Sequence, residues 1–240
     1  MRFQTPLVPG RLIKRYKRFL ADVILDDGRQ VTAHCANPGA MIGLQELGLR
    51  VWLEPNDDTK RKLKFGWSVA QLESGAWVGI DTSLQNKIIH QALRDHKIVP
   101  LAEYDTIQPE QKYGANSRVD FLLSAPTLPQ AYIEVKNVHL LRSGDWAEFP
   151  DTVTARGLKH LGVLGDMAEA GHRAVLIYCV QHTGCARFRL ATDLDPAYSE
   201  ASKRALQRGV EMLCYSCAVS CEQITLELAL PLHIDGPAQS

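Results

Sequence analysis

Three residues, Asp120, Glu134 and Lys136, have the types and spacing to hold a divalent cation and act on a phosphoryl group. Asp120 lies in Arg118-Val119-Asp120-Phe121, and Glu134-Val135-Lys136 starts fourteen residues after it. Each segment sits in a short apolar run, residues 119–123 and 131–138, with a Pro-containing loop over 124–130 between them. Runs of that length bounded by turn residues predict neighbouring strands of a hairpin. Side chains two apart on a strand share a face, so Glu134 and Lys136 point together, as do Arg118 and Asp120. A charge on a buried strand is expensive unless it is paired or binds an ion. In a suitable register the two acids and the lysine meet at one spot. Two carboxylates with an open side suit Mg²⁺, which prefers oxygen ligands and keeps several waters. Asp120 and Glu134 are therefore the candidate metal ligands and, with Lys136, the candidate catalytic residues. The lysine would orient an attacking water or offset phosphoryl charge. The competing reading is a structural ion-pair network, since buried charges are not always catalytic.

The elements that must position these residues fall into two groups. Over the first eighty residues the chain reads as short strands joined by turns. Residues 12–25 and 29–34 flank Asp26-Asp27-Gly28, residues 49–53 form another strand, and 65–72 and 76–80 flank Glu73-Ser74-Gly75. About five strands with no long helix predict a small barrel, and the OB-fold is the obvious form. Thr82 and Ser83 are placed to cap a helix over 84–95 with Leu84, Ile88 and Ala92 on one face. The domain division is set there, giving an OB-like domain over 1–83 and an α/β domain over 84–240. The second domain alternates strand and helix: strands around Glu110, Asp120 and Glu134, then a helix over 152–170 stopped by Gly171. A buried strand over 173–180, a helix opened by Asp195-Pro196 and ended by Gly209, and closing strands over 210–219 and 224–230 complete it. The whole is α+β with a mixed sheet, and residues 237–240 read as an unstructured tail. The paired acids and the Glu-x-Lys motif on such a sheet form the pattern of PD-(D/E)XK nucleases.

Composition narrows the function classes. Apolar residues make up 45% and charged residues 22% of 240, the mixture of an ordinary globular protein. No apolar run of eighteen residues and no signal-peptide core is present, which sets the expectation of a cytoplasmic protein. Net charge is zero, yet residues 1–90 carry 13 Lys and Arg against 9 Asp and Glu, and the remainder carries 14 against 18. A basic front suits a polyanion and an acidic back suits a cation. Six unevenly spaced cysteines argue against a disulfide framework. Cys214 and Cys217 look like half a zinc site, but strand alternation would turn them to opposite faces. His34-Cys35 fails as a base and nucleophile for the same reason. No Walker loop, GxGxxG or GxSxG elbow occurs, which removes support for P-loop hydrolysis, dinucleotide chemistry and serine esterase chemistry.

Two basic clusters fall in the first domain. Lys14, Arg15, Lys17 and Arg18 surround Tyr16 and precede Phe19, and Lys60, Arg61, Lys62 and Lys64 lie beside Phe65 and Trp67. OB-folds bind nucleic-acid strands through a positive groove and aromatic platforms, so these residues are the candidate nucleic-acid contacts. For one cluster alone, charged residues covering a wet strand face is the better account; two clusters in one candidate barrel tilt the balance to nucleic acid. On the helix after Glu134, Arg156 shares a face with Lys159 and His160, and Arg156 and Lys159 are candidate phosphate grips.

These residues together resemble the sugar fermentation stimulation protein A family over nearly the whole length. The likeness rests on the basic run 12–23, on His34-Cys35 with Asn37, Gly39 and Met41, and on Lys60-Arg61-Lys62 and Tyr113-Gly114. It continues through residues 117–121 and 133–136, then Phe149-Pro150-Asp151, Thr154, Arg156-Gly157, Lys159-His160-Leu161, Gly171, residues 173–175 and 209–211. The resemblance implies an N-terminal OB-fold, a C-terminal restriction-endonuclease-like domain, DNA as partner with strandedness open, and an influence on sugar, notably maltose, metabolism. It also implies Asp120, Glu134 and Lys136 in the metal and catalytic slots and Arg156 and Lys159 in supporting slots. Two departures stand out. Gln91 occupies the place of an acid before Ala92-Leu93, which would weaken Mg²⁺ binding unless Glu110 substitutes. Ala36 and Pro38 replace a Pro and a Thr, altering the loop after His34-Cys35.

Overall fold

The computed structural model describes residues 1–113 and 117–234; Gly114 and the tail 237–240 named above lie outside them. The barrel is built from β1 (Val8–Tyr16), β2 (Leu20–Leu25), β3 (Gln30–His34), β4 (Arg50–Pro55) and β5 (Phe65–Gln71), with the short β6 (Trp77–Gly79) appended to β5. Antiparallel pairing runs β3-β2-β1-β4-β5, and one parallel bridge, His34 to Gly66, closes β3 onto β5. Five strands thus close on themselves with no free edge. Alternate side chains fill the inside: Leu12, Val23, Ala33, Val51, Leu53, Trp67 and Val78 are all buried.

One strand expected over 12–25 is two. The chain turns at Lys17 and Arg18, whose φ angles of 49° and 63° are left-handed. No Gly, Asn or Pro marks the turn, and the run of alternating charged and apolar residues hid it.

The second unit begins with α1 (Gln85–Arg94), entered through a 3₁₀ turn over Thr82–Leu84. The cap of that turn is Asp81, which accepts from the Ser83 N–H at 2.8 Å, and neither Thr82 nor Ser83. The acidic side chain one residue earlier reaches the orphan amide first. There follow β7 (Thr106–Tyr113), β8 (Ser117–Ala125), β9 (Leu128–Val138), β10 (Leu140–Leu141), β11 (Trp146–Phe149), α2 (Ala155–Glu169), β12 (Arg173–Val180), β13 (Arg187–Leu190), α3 (Pro196–Gln207), β14 (Glu211–Val219), β15 (Ile224–Ala229) and β16 (Leu232–His233). The main sheet runs β15-β14-β12-β9-β8-β7. β9, β12 and β14 are parallel, and the flanking pairs are antiparallel.

The parallel centre needs cover on both faces, and gets it. Ile88, Ile89, Ala92 and Leu93 of α1 pack with Ile133, Val135, Val175 and Ile177 on one face. Leu161 and Leu164 of α2 and Tyr198 and Ala205 of α3 pack with Leu176, Tyr178 and Val180 on the other. That double burial is why Arg173–Val180 reads as a continuous apolar run. Cys217 lies in the α1 layer and Cys214 in the α2–α3 layer, as alternation requires. A four-stranded sheet, β10-β11-β13-β16, is built from pieces too short to carry a period in sequence. No helix among the described residues is long and apolar enough to cross a membrane.

The two units are stitched at several points. Met1 and Phe3 leave the barrel to bond Ile224 and Glu222, and the Gly79 N–H donates to the Gln181 carbonyl at 2.8 Å. The Met41 N–H donates to Asp151 Oδ2 at 3.1 Å. Gly39 passes so close to Asp151 that any Cβ there would strike its carboxylate.

Asp195, buried, joins α2 to α3: one oxygen accepts from the Tyr198 N–H at 3.0 Å as the α3 cap and the other from the Thr154 N–H at 2.9 Å. Asp195→Ala orphans both amides, so unfolding free energy in urea should fall by about 1–3 kcal/mol. A loss within the scatter of surface substitutions would refute that role.

Candidate metal centre and nucleic-acid interface

β8 and β9 pair Leu123 with Ala131, Leu122 with Tyr132 and Phe121 with Ile133. One more step would set Asp120 opposite Glu134, but the ladder stops. The Asp120 carboxylate takes its place: Oδ2 accepts from the Val135 N–H and Oδ1 from the Asn86 amide, both at 2.8 Å. Asp120 thereby ties the first turn of α1 to β9.

Glu134 is only 3% exposed. Its Oε1 accepts from Lys136 Nζ at 2.8 Å and from His160 Nδ1. Arg156 Nε reaches His160 Nε2 at 3.3 Å. His160 Nδ1 also lies 3.2 Å from Lys136 Nζ, so Glu134, Lys136, His160 and Arg156 are linked in series. The predicted face-sharing of Glu134 with Lys136, and of Arg156 with His160, is what assembles this chain of contacts. Arg118, the expected neighbour of Asp120, instead turns to solvent 3.8 Å from Glu110. Lys159 is exposed.

The two acids are pushed in opposite directions. Burial, then the Glu134 charge, raises the Asp120 carboxyl above its usual range. Burial also disfavours ionised Glu134, but the hydrogen bond from His160 and the charge of Lys136 outweigh it and hold that carboxyl low. Tyr113, missed as a site residue, is 4% exposed with no hydrogen-bond partner for its hydroxyl. Burial and the charges of Glu134 and Asp120 keep the phenol protonated.

The donor set fits a hard cation. Glu134 Oε2, Gln85 Oε1 and Asn86 Oδ1 are all buried without a hydrogen-bond partner, a condition native interiors rarely leave uncompensated. The Asn86 amide donates to Asp120, and the Gln85 amide nitrogen lies 3.5 Å from the Val135 carbonyl, so both side chains border the strands that carry the acids. Among the described residues no three His, Cys, Asp or Glu side chains form a metal-holding group. Carboxylates with amide oxygens are the ligands Mg²⁺ and Ca²⁺ take.

Gln91 is not part of this set. It is exposed and donates to Asp95 Oδ1 at 2.9 Å, because the helix face turned to the sheet carries Asn86 and, four residues on, His90, which stacks on Phe121 at 5.8 Å. Glu110 does not stand in for it. It sits at left-handed φ of 53°, its side chain 74% exposed. Gln85 and Asn86 were legible only as the first turn of a helix; no motif singled them out.

The basic residues divide. Lys17 and Arg18 project from the strained β1–β2 turn, exposed and without an ion pair among the described residues. Lys60, Arg61 and Lys62 are likewise exposed, and Arg61 and Lys62 line a cleft of about 370 Å³ with His34 and Phe65. Phe19, 42% exposed, stacks on His34 at 6.3 Å. Other candidates have structural work. Arg15 donates to the carbonyls of Arg18, Asn37 and Gly39, and Lys64 to that of Asp58. Tyr16 bonds Asp22 and carries Lys14 over its ring at 5.1 Å. Trp67, expected as a platform, is in the barrel core with its indole N–H on the Val69 carbonyl.

The fold is that of a two-part protein, a closed OB barrel joined to a mixed sheet whose adjoining strands carry Asp, Glu and Lys. The sequence comparisons agree. The profile of the SfsA N-terminal OB domain matches residues 13–80, and that of the sugar fermentation stimulation protein RE domain matches residues 83–223. The chain belongs to the sugar fermentation stimulation protein family. It is 58% identical to a sugar fermentation stimulation protein homolog of Dinoroseobacter shibae, covering 100% of this chain and 98% of that one. A homolog of Jannaschia is 57% identical, with 97% of each chain covered. The solved structure of Pyrococcus furiosus SfsA in complex with Ca²⁺ superposes with a TM-score of 0.87 at 26% identity, covering 97% of this chain and 98% of that one.

Because the folded Glu134 carboxyl is held low, its contribution to stability is whole above the ordinary carboxylate value of about 4.3 and is lost as pH falls through its folded value. Glu134→Gln in an Asp120→Asn background, which removes the opposing shift of Asp120, should cost about 1–3 kcal/mol at pH 7. That gap should narrow below pH of about 4 in urea titrations with EDTA. A gap independent of pH would show that Glu134 is not held ionised by His160 and Lys136.

Proposed function

We propose that this protein binds DNA through its barrel and hydrolyses phosphodiester bonds at Asp120, Glu134 and Lys136 with a divalent cation. One observation carries the reading: three partnerless buried oxygens, from Gln85, Asn86 and Glu134, beside two carboxylates pushed apart in acidity. The Pyrococcus furiosus relative was solved with Ca²⁺, and Mg²⁺ draws on the same oxygen class.

A bound cation would polarise the phosphoryl oxygen and lower the pKa of a water. The residues of this chain do the rest. Asp120 and Glu134 hold the site together with the amide oxygens of Gln85 and Asn86. Lys136, salt-bridged to Glu134, offers its remaining N–H donors to a water or a phosphate oxygen. His160, backed by Arg156, keeps Glu134 ionised, and the protonated Tyr113 hydroxyl is available as a donor. Lys17, Arg18, Lys60, Arg61 and Lys62 supply charge to the DNA backbone, with Phe19, His34 and Phe65 as stacking surfaces.

A second reading, DNA binding without cleavage in the control of sugar genes, is favoured by one feature. The α1 face toward the site offers Asn86 and His90 where an acid would complete a three-carboxylate set. The two readings separate in a gel assay with end-labelled single-stranded and duplex DNA and RNA in Mg²⁺, Mn²⁺ or EDTA. Under the first, cleavage needs metal and falls at least about 100-fold in Asp120→Asn, a variant that Asn86 accommodates by turning its amide. DNA retarded but uncut under every condition would establish the second.

Left-handed φ at two consecutive non-glycine residues costs roughly 1–2 kcal/mol each, so a turn chosen for stability would not read Lys17-Arg18. Replacing them by Asn-Gly should raise unfolding free energy by about 1–2 kcal/mol. It should also weaken DNA binding and flatten its log-affinity against log-salt slope by about two units. Unchanged affinity would remove the turn from the interface.

A further inference from the structure

Between the β1–β2 turn of the barrel and the start of α2 lies a cleft of about 350 Å³, bordered by Arg18, Asn137, His139, Phe149, Asp151 and Arg156. It adjoins the candidate centre: Arg156 contacts His160, and Asn137 follows Lys136 on β9. Its wall contains an unfinished polar group. His139 is 6% exposed, and its Nε2 has no hydrogen-bond partner. Asn137 donates to His139 Nδ1 at 3.1 Å when that nitrogen is the acceptor, which leaves the proton on Nε2. That N–H lies 3.4 Å from Asp151 Oδ2, an oxygen already taken by the Met41 N–H. The wall thus presents a carboxylate acceptor beside a buried N–H donor. Phe149 supplies an aromatic surface, and Arg18 and Arg156 stand at the rim from opposite domains.

We infer that this cleft takes one unpaired nucleotide of the substrate strand, its base edge against Asp151 and His139 and its phosphate between Arg18 and Arg156. This rests on the DNA-binding reading above and supplies what that reading leaves open, the strandedness of the substrate. The volume falls at the low end of the roughly 300–1,000 Å³ typical of small-ligand pockets, room for one nucleotide and not for a base pair. Entry therefore requires a single strand or a nucleotide swung out of a duplex. Asp151 accepts and His139 Nε2–H donates, a pair that meets the donor and acceptor every base sets side by side on its pairing edge, so the cleft selects for an unpaired nucleotide and not for one base.

The test is fluorescence anisotropy of labelled oligonucleotides in EDTA, which excludes cleavage: mixed-sequence single strand lacking thymine, oligo-dT, and duplex. Wild type is compared with Asp151→Asn, which keeps an oxygen for the Met41 N–H, and with Thr152→Trp, which places bulk in the cleft from an exposed position. The expected result is binding of both single strands about ten-fold tighter than duplex. Both variants should lose that preference while keeping the affinity common to all three. Equal binding of single strand and duplex, or variants that change nothing, overturns the pocket and leaves the DNA-binding reading standing. Absence of binding to every oligonucleotide overturns both. Dimethyl-capped mononucleotides that compete at the cleft without strand attachment, in a protein indifferent to strandedness, would assign it to a free nucleotide and overturn the strand proposal.

Discussion

The Asp120 carboxylate stands in for a piece of β-sheet. Where the β8–β9 ladder ends, its two oxygens accept the Val135 amide and the Asn86 side chain, holding strand, strand and helix in one place. Buried backbone amides must be paired, so without this side chain the Val135 N–H would be orphaned or β8 would have to continue. Continuing would make Asp120 an ordinary rung and close the space between the acids. The end of the β8–β9 ladder beside buried Glu134 and the first turn of α1 therefore follows from one side chain replacing a ladder bond.

That arrangement explains the division of labour between two chemically similar acids. Asp120 is bound by neutral donors, so burial and its neighbour's charge dominate and make it reluctant to ionise. Glu134 faces an ammonium and an imidazole N–H, so it stays charged although it is just as enclosed. A site in which one carboxylate is firmly anionic and the other is easily protonated gains from a cation, which relieves the repulsion that the fold enforces.

The barrel and the sheet meet around the same centre. The loop after β3, strapped by Arg15 to the carbonyls of Asn37 and Gly39, places the Met41 amide on Asp151, and Gly39 is required there because a side chain would strike that carboxylate. Several residues that look like DNA contacts in the linear sequence have local partners instead: Arg15 and Lys64 hold loop carbonyls, and Tyr16 bonds Asp22 across β1 and β2. Of the cations exposed without an ion pair among the described residues, Lys17 and Arg18 are held in a costly backbone conformation, which is where strain tends to accompany function.

Local order was written in the sequence. Period-two alternation and turn pairs announced the barrel strands except for the break between β1 and β2, the unbroken apolar run of Arg173–Val180 announced a strand buried on both faces, and Asp195-Pro196 announced α3. The Asp120–Glu134–Lys136 grouping was legible too, because strand alternation fixes which side chains share a face. The tertiary structure alone decided what lies opposite that face. Gln91 looked like the helix ligand from its place before Ala92-Leu93, yet the rotation of α1 on the sheet turns it to water and brings Gln85, Asn86 and His90 inward. A helix presents a new residue every hundred degrees, so a one-position difference in register moves the ligand set entirely. Trp67 and Arg15 were misplaced for a similar reason: whether an aromatic fills a core or a guanidinium straps a loop depends on contacts from residues far away in the chain. The cleft between the two units had no signature at all, since its walls come from residues 18, 37–39, 137–139 and 149–156, segments that only packing brings together.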